Sequence, residues 1–426
     1  MKKLKLILPM IAAGSAALPL TMVTSCGNSL VVKGGITKIH TFPGDVGADP
    51  YQWQAFYNGK LINPLWEIVP ISAKAKDIVF VDDGHVCWTS LIADEEPIKF
   101  KIRAKYLDFV GLSPIISIDC EMNTEDFKWK ILSDTECEIE AYQPSSIIKK
   151  IAIPSKYVKD GKTYTLTKIG AKAFSGNNDI TDVFIPSKVT TIGERAFSSC
   201  SKLKRVVTNN DSEITTIGVQ AFSSDDMLSV FPFKQIKNLT TIQSSAFYGT
   251  GISEVFIGPN VQNIENNPFT NCLSLGEISV DPSNKYFVDK NANCVVNVAS
   301  GKLIIGCPNT NFEILSKESD VKIIGRDAFG KYRGQMTHYI EIPNSVVEIE
   351  TNAFQGSQIF SLTFHNTLKK MGTYVFDGVD ITEIIFKGSK AEWIQLANNS
   401  DPRWYGNNVP QTEVQCDDGP TPVVPV

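Results

Sequence analysis

Histidine and cysteine are the residues whose spacing in this 426-residue chain could point to metal or nucleophilic chemistry. The four histidines are scattered along the chain without the spacing of a metal site or of a Ser/His/Asp arrangement; they are His40, His85, His338 and His365. No glycine-rich phosphate-binding motif follows a predicted strand. The sequence therefore predicts no catalytic site, no metal site and no cofactor, and it disfavours an enzyme.

Two cysteines lie in a segment that reads as a β-hairpin. The segment is NCVVNVASGKLIIGC, residues 293–307, with Ser300 and Gly301 as a two-residue turn. Pairing Ala299 with Lys302 places Cys294 opposite Cys307 in a non-hydrogen-bonded pair, whose Cα atoms are near the lower limit of disulfide geometry. We therefore expect either a disulfide between Cys294 and Cys307 or two packed thiols.

The first 34 residues carry processing signals. Three lysines precede an apolar stretch, and small residues then lead to Cys26 in the sequence VTSC. This pattern resembles a bacterial lipoprotein signal, with residues 1–25 as the signal peptide and 26–34 as a lipidated linker. The resemblance implies that Cys26 is acylated and that the chain is extracytoplasmic, anchored to the cell membrane by this lipid alone. The alternative is an uncleaved membrane anchor in which Cys26 is an ordinary thiol.

The second half of the chain repeats a signature of the form IxxxAF. Its phenylalanines are 23, 25, 25, 22, 60, 25 and 22 residues apart; they are Phe174, Phe197, Phe222, Phe247, Phe269, Phe329, Phe354 and Phe376. Five or six residues after most of them comes a second signature, LxxVxI, whose alternating apolar positions indicate a strand. Stacked units of this kind bury a continuous apolar column that one unit alone leaves exposed. We therefore expect a solenoid of short parallel strands and irregular or short helical turns over residues 167–397.

The repeats resemble BspA-type leucine-rich repeats. The resemblance is carried by FIPSKVTTIGERAFSSCSKL, residues 184–203, and by IAIPSKYVKDGKTYTLTKIGAKAF, residues 151–174, which resembles an opening unit. It covers roughly residues 138–396 and implies a leucine-rich-repeat solenoid. Known members of this family are largely surface proteins implicated in adhesion to host proteins or other cells, so the resemblance implies a function of that kind, although a fold does not fix a function.

The segments that flank the repeats have a different character. Residues 35–121 contain short alternating runs and resemble a bacterial immunoglobulin-like module, an antiparallel β-sandwich that would act as a spacer; the runs are LWEIV, IVFVDDGHVCW, IKFKIRA and IISI. Residues 122–166 are expected to form a β-rich N-terminal cap with a first partial repeat, and a hairpin is expected to be inserted near 284–308. KAEWIQL resembles the segment that closes such arrays, and residues 398–426 are expected to be a cap remnant and a disordered tail.

The outward positions of the LxxVxI strands predict a ligand-binding face. Because side chains alternate across a strand, one set faces the core while the other lines the sheet surface. Aromatic residues among acids have the composition of a binding surface; the candidates are Asp182, Phe184, Arg205, Glu254, Phe256, Glu277, Tyr339, Glu341 and Glu383. The alternative is that the repeats tolerate such residues on an exposed sheet.

The charge of the chain restricts its partners. A formal net charge of -5 disfavours nucleic acid and an anionic membrane surface, because both attract concentrated positive charge. With the resemblance, the sequence predicts a surface lipoprotein that binds a protein or glycan ligand on a host or neighbouring cell. A structural or assembly component of the cell envelope, which binds a protein of the same cell, stays open as the alternative.

Overall fold

The computed structural model divides the chain into two units, Met1–Glu121 and Met122–Val426. The residues that it describes are 30–34, 38–40, 47–48, 53–57, 60–62, 64–71, 79–82, 85–88, 98–106, 109–119, 124–317, 320–330, 339–406 and 413–423. The predicted signal peptide, Cys26 and His338 lie outside these residues.

The first unit consists of short strands in three sheets. The strands are β1 (Leu30–Gly34), β2 (Lys38–His40), β3 (Gly47–Ala48), β4 (Trp53–Tyr57), β5 (Lys60–Ile62), β6 (Leu65–Pro70), β7 (Val79–Asp82), β8 (His85–Trp88), β9 (Ile98–Tyr106), β10 (Phe109–Leu112) and β11 (Ile116–Asp119). The sheet orders are β1-β4-β5, β3-β8-β7 and β10-β9-β11-β2, and β6 also pairs with β9. Every pairing described here is antiparallel except that of β11 with β2. The four runs predicted from the sequence are confirmed as strands.

Strand β9 shows how these sheets form. Its apolar residues share one buried face and are Phe100, Ile102 and Ala104. The basic residues between them point to the other side, where Glu67 of β6 accepts hydrogen bonds from Lys105 at 2.7 Å and from Arg103 at 3.5 Å. This alternation is typical of an antiparallel sheet with one face packed and one face in water.

The second unit opens with a β-rich cap. Its strands are β12 (Phe127–Ile131), β13 (Glu136–Tyr142), β14 (Lys150–Ala152), β15 (Lys156–Lys159) and β16 (Lys162–Ile169). β13 pairs antiparallel with β12 and parallel with β16, which carries the first repeat signature. The Tyr142 ring stacks on Phe174 with centroids 5.2 Å apart, so the cap covers the first ring of the repeat core.

Each repeat then contributes to two parallel sheets. One sheet, here the long-strand sheet, is built from the LxxVxI segments and contains β17 (Asp182–Ile185), β19 (Arg205–Thr208), β22 (Glu254–Ile257), β24 (Glu277–Val280), β29 (Tyr339–Glu341), β31 (Ser361–His365) and β33 (Glu383–Lys387). The other, here the short-strand sheet, consists of two parts that do not pair with each other. The first part contains β18 (Thr191–Ile192), β20 (Thr216–Ile217), β21 (Thr241–Ile242) and β23 (Asn263–Ile264), and the second contains β28 (Ile323–Ile324), β30 (Glu348–Ile349) and β32 (Lys370–Met371). Equivalent residues pair directly, as Ile192, Ile217 and Ile242 do, so identical side chains stack along the solenoid.

An Ala-Phe turn closes each repeat on its third side. In seven of the eight copies the residue before the apolar pair has a φ between 53° and 59°; these residues are Lys172, Arg195, Gln220, Ser245, Asp327, Asn352 and Tyr374. The turn is held by its neighbour, since the Phe197 amide donates to the Ala221 carbonyl at 2.8 Å. The Phe197 and Phe222 rings are parallel within 2°, with centroids 5.1 Å apart. All eight phenylalanines are buried, which confirms the predicted stacking, but they fall into two core clusters, with Phe269 the last in the first cluster and Phe329 the first in the second.

The long interval between Phe269 and Phe329 contains the predicted hairpin, but in another register. Its strands are β25 (Phe287–Val288), β26 (Val295–Asn297) and β27 (Lys302–Ile305), paired antiparallel. Asn297 pairs with Lys302 across residues 298–301, so the predicted two-residue turn is wrong. A bulge between Val295 and Val296 shifts the register again.

This register separates the two hairpin cysteines, and both are free thiols. The Cys294 thiol lies 3.5 Å from the Asp289 carbonyl, whereas the Cys307 sulfur accepts a hydrogen bond from the Asn293 amide at 3.2 Å. Burial raises the pKa of both thiols. The structure therefore contains no disulfide between Cys294 and Cys307, and it agrees with the alternative of two packed thiols.

A short helix follows the hairpin where the next long strand is expected. This helix, α1 (Phe312–Leu315), starts at Asn311, whose side chain accepts the Ile314 amide at 3.0 Å. Phe312 and Leu315 are buried in the core. Because α1 precedes β28 in its repeat, β24 and β29 are not neighbours, and the long-strand sheet is interrupted.

A helix closes the C-terminal end of the core. The helix, α2 (Lys390–Asn399), begins after Ser389, which forms a capping box with Glu392. Trp393 is fully buried, and its ring packs edge-on against Phe386 and Trp404. The segment KAEWIQL therefore covers the last repeat, as an open solenoid end requires.

Residues 413–423 of the C-terminal tail form two strands. Strand β34 (Glu413–Cys416) pairs parallel with β33 and antiparallel with β35 (Gly419–Pro422). Val414 and Val423 are buried, and the Trp393 indole donates to the Val423 carbonyl at 3.3 Å. The expectation of a disordered tail is therefore wrong for residues 413–423, whose prolines lie on an edge strand that tolerates a missing N–H.

Candidate interaction surface

The predicted face is divided into three blocks. The first contains β14, β17 and β19, the second β22 and β24, and the third β29, β31, β33, β34 and β35. Helix α1 separates the second block from the third. Between the first and the second, Pro232 has no N–H, and only Val230 bridges to Arg205. The nine candidate residues are thus distributed over three surfaces instead of one continuous face.

In the first block, two of the three candidates are buried. Phe184 is only 3% exposed and lies between Ala152 and Val207 of the neighbouring strands. Asp182 is buried as well, and its Oδ1 accepts a hydrogen bond from Arg205 Nε at 2.6 Å. The expectation that Phe184 is an exposed aromatic anchor is therefore wrong, because exposure depends on what covers a strand and not on its alternation alone.

In the second block, charged side chains cover the aromatic one. Glu254 and Glu277 pair across neighbouring strands and are both exposed. The Lys234 ammonium lies 2.6 Å from Glu254 and 5.9 Å from the centre of the half-buried Phe256 ring, a cation–π arrangement. The hydrogen bond to Glu254 raises the pKa of Lys234.

In the third block, three of the predicted residues come together. Tyr339 is 76% exposed and lies in one row with Ser361 and Glu383. The Ser361 hydroxyl donates to Glu383 at 2.6 Å, which fixes this carboxylate beside the row. Glu341 lies one row further along the same face. This block is therefore the part of the predicted face where an exposed aromatic ring stands among fixed charges.

The third block also contains residues that the sequence did not single out. His365 Nε2 lies 2.9 Å from Glu341 Oε1, and Phe360 is 39% exposed at the start of β31. The sequence contained a signal for His365. A proline follows β17 and β29 within two residues of their ends, but no proline follows β31. The strand thus continues to His365, which returns its side chain to the outward face beside Lys387.

The two cysteines that follow repeat phenylalanines are part of the packed core. Cys200 and Cys272 are buried, and each thiol points at the carbonyl of the phenylalanine one repeat earlier, Phe174 at 3.2 Å and Phe247 at 3.0 Å. Burial raises the pKa of Cys272 to about 11. Such thiols are poor nucleophiles at neutral pH.

Two further findings concern the described residues. None of them form a group of three or more His, Cys, Asp or Glu side chains that could hold a metal ion. Neither α1 nor α2 has the length and apolarity needed to cross a membrane.

Comparison with known proteins agrees with the repeat architecture. The model of the BspA type leucine rich repeat region matches residues 135–276 and 306–396 in six copies. None of the curated proteins matches the chain. The matched ranges contain all the Ala-Phe turns and all the strands of the two parallel sheets except β24.

Three solved structures illustrate the similarity. A leucine-rich repeat protein of Bacteroides ovatus has 21% identity and a TM-score of 0.42, and the match covers 63% of this chain and 60% of that one. The pneumococcal vaccine antigen PcpA has 18% identity, a TM-score of 0.49 and coverage of 63% and 76%. A leucine rich cell surface protein of Faecalibacterium prausnitzii has 18% identity, a TM-score of 0.30 and coverage of 65% and 98%. The chain thus spans 60% of the length of the Bacteroides ovatus protein.

Proposed function

Because the chain belongs to the BspA-type leucine-rich repeat family, we propose that it is a bacterial cell-surface lipoprotein whose solenoid binds a macromolecular ligand in adhesion or host interaction. The ligand is a protein or glycan on a host or neighbouring cell. The role is binding without catalysis.

The third block of the long-strand sheet is the main support for this proposal. An exposed tyrosine ring combines apolar area with a polar tip, and such residues are enriched where proteins bind one another. Around Tyr339, the Ser361–Glu383 hydrogen bond and the Glu341–His365 contact hold charged groups in fixed positions. Fixed groups lose little conformational freedom when a ligand binds, which favours affinity.

The experiment is a binding screen of the full chain against extracellular-matrix proteins and glycans, followed by two variants. Tyr339→Ala and Glu341→Ala should each weaken binding by about tenfold or more. Ile147→Ala and Glu348→Ala are the matched controls, since one removes an equally exposed apolar side chain and the other an acid of the short-strand sheet. Undiminished binding by both third-block variants would contradict the proposal for this face.

The same screen separates the alternative role in the cell envelope. If the chain binds no host ligand but cross-links in cells to a protein of the same envelope, a structural or assembly component is the better description. Both roles use a binding surface, so the variants at Tyr339 and Glu341 remain informative in either case.

The N-terminal part would supply the attachment. We place the lipid on Cys26, and we assign residues 35–121 to an immunoglobulin-like spacer. The antiparallel strands and the alternating β9 support a spacer of this class. Metabolic labelling with palmitate tests the anchor: the wild-type chain should be labelled and Cys26→Ser should not. An unlabelled wild-type chain would contradict it.

A further inference from the structure

A polar trough lies at the corner between the long-strand and short-strand sheets, away from the third block. It has a volume of about 670 Å³ and crosses several successive repeats. Its lining is polar almost throughout; the residues that carry the argument are Glu213, Asn238, Asn260, Gln262, Lys285 and Tyr286. Neither the predicted face nor the Ala-Phe turns account for this surface.

Hydrogen bonds between repeats make the floor of the trough rigid. The Thr215 and Thr240 hydroxyls each donate to the carbonyl of the equivalent threonine one repeat earlier, at 3.1 Å. Asn238 and Asn260 donate from their side-chain amides to the Ser212 and Lys237 carbonyls, at 3.0 and 2.8 Å. The side-chain amides of Asn238 and Asn260 are therefore held in one orientation, and their side-chain oxygens are left to accept hydrogen bonds.

The rim of the trough is also fixed. Asn284 donates to the Gly258 and Val261 carbonyls at 2.7 and 2.9 Å. Its side-chain oxygen accepts the Tyr286 amide at 2.8 Å. The loop that carries Lys285 and Tyr286 is thus anchored to the preceding repeat, although both of these side chains are exposed.

The charges of the trough are uneven. Glu213 at one end is paired with Lys188. Lys285 at the other end has no carboxylate within ion-pair distance among the described residues. The trough therefore offers one uncompensated cation beside one aromatic ring, with fixed amide groups between them and Glu213.

We propose that this trough binds an oligosaccharide that carries a carboxylate. Fixed amides and hydroxyls match the many donors and acceptors of a sugar. Lys285 pairs with the carboxylate, and the exposed Tyr286 ring packs against a sugar ring. An apolar peptide is a poor occupant, because it would leave the fixed amides and hydroxyls of the lining without hydrogen-bond partners.

Calorimetric titration of the full chain tests the proposal with two probes. One is a hexasaccharide of alternating uronic acid and N-acetylhexosamine, and the other is the same hexasaccharide with its carboxyl groups reduced to alcohols. We expect the acidic probe to bind about tenfold more tightly. No measurable binding of either probe, or equal affinity for the two, overturns the proposal.

Variants then assign the contacts. Lys285→Gln should remove the preference for the acidic probe, whereas Tyr286→Ala should weaken both probes by about tenfold. Lys204→Ala, which changes an exposed lysine outside the trough, should change neither affinity. An unchanged preference in Lys285→Gln overturns the assignment of the carboxylate.

This proposal is separable from that for the third block. Tyr339→Ala should leave the hexasaccharide affinity unchanged while it weakens the macromolecular ligand. If Tyr339→Ala weakens hexasaccharide binding and Tyr286→Ala does not, the sugar binds at the third block and the trough is excluded.

Discussion

The backbone amide of Cys200 donates to Oδ1 of Asp225 at 2.7 Å, while Oδ2 of this fully buried carboxyl group has no hydrogen-bond partner. Asp225 occupies the repeat position of Cys200 and Ser357, whose side chains donate to the phenylalanine carbonyl of the preceding repeat. A protonated carboxyl group supplies a donor at that position, whereas a carboxylate supplies none. Burial raises the pKa of Asp225 to about 9.

Asp225→Asn should therefore increase the free energy of unfolding relative to the wild type, and this increase should be larger at higher pH. The folded state keeps this proton up to about pH 9, whereas the unfolded chain releases it near 3.8, the ordinary pKa of an aspartate. The free energy of unfolding thus falls between these pH values, by at most about 1.4 kcal/mol per pH unit. Asparagine keeps the acceptor for Cys200 and removes the ionisation. Urea unfolding at pH 5.5 and 8.5 should give a larger gain at the higher pH, and Asp160→Asn, a change at an exposed residue of the turn between β15 and β16, should give none.

Phe184→Ala and Tyr339→Ala should differ in their effect on folding. Phe184 is buried, so its truncation should cost about 3–5 kcal/mol, whereas Tyr339 is exposed and its truncation should cost less than about 0.5 kcal/mol. Thermal unfolding of the two variants measures the difference. Similar melting temperatures would contradict the burial of Phe184 and would agree with the exposed ring that strand alternation predicts.

Gly306→Ala should destabilise the insertion. A Cβ at Gly306 would lie 2.0 Å from Cε1 of Phe329, so the ring of the next repeat has to move. Gly258→Ala is the matched control, because a Cβ there meets nothing within 4 Å. We expect a cost of about 1–3 kcal/mol for the first change and little effect for the second, measured by urea unfolding. Equal stability of the two variants would contradict the packing of Phe329 on Gly306.

Removal of residues 413–426 should uncover the C-terminal end of the core. Val414 and Val423 are buried, and the Val423 carbonyl accepts the Trp393 indole. We expect a lower melting temperature and a red-shifted tryptophan emission, because Trp393 and Trp404 become accessible to water. A truncated chain with unchanged melting and emission would restore the interpretation of this tail as disordered.

Cys294 and Cys307 should both react with an alkylating reagent after denaturation without reductant. They are free thiols in the structure, and the hairpin bulge removes the register that would oppose them. Mass spectrometry of the resulting peptides counts the alkyl groups. A peptide pair that stays linked and unalkylated until reduction would reinstate the disulfide.

The repeat core could be derived from the sequence because its signal is local and is repeated. Phe197 and Phe222 follow the same IxxxAF signature, and each has an equivalent neighbour on which to stack. The terminal cap followed from the same reasoning, since the end of the column at Phe376 needs a cover, and Trp404 supplies one.

The surface could not be derived in the same way. Periodicity assigns Phe184 and Tyr339 to the same outward side, yet one is buried and the other is exposed. Pro232 and helix α1 divide the face, because a missing N–H and a helical turn each stop strand pairing. The threonines in the floor of the trough recur in the sequence, but the carbonyl groups that Asn238, Asn260 and Asn284 bind cannot be read from it.

The sequence by itself determined the stacking of repeats, the parallel strands of the LxxVxI segments and the phenylalanine column, since each unit buries its apolar residues only against a neighbour with the same pattern. The tertiary structure decided the hairpin register, the order of residues 413–423 and the exposure of each outward side chain. These features depend on contacts between segments that are distant in the chain, and alternation within one strand contains no information about them.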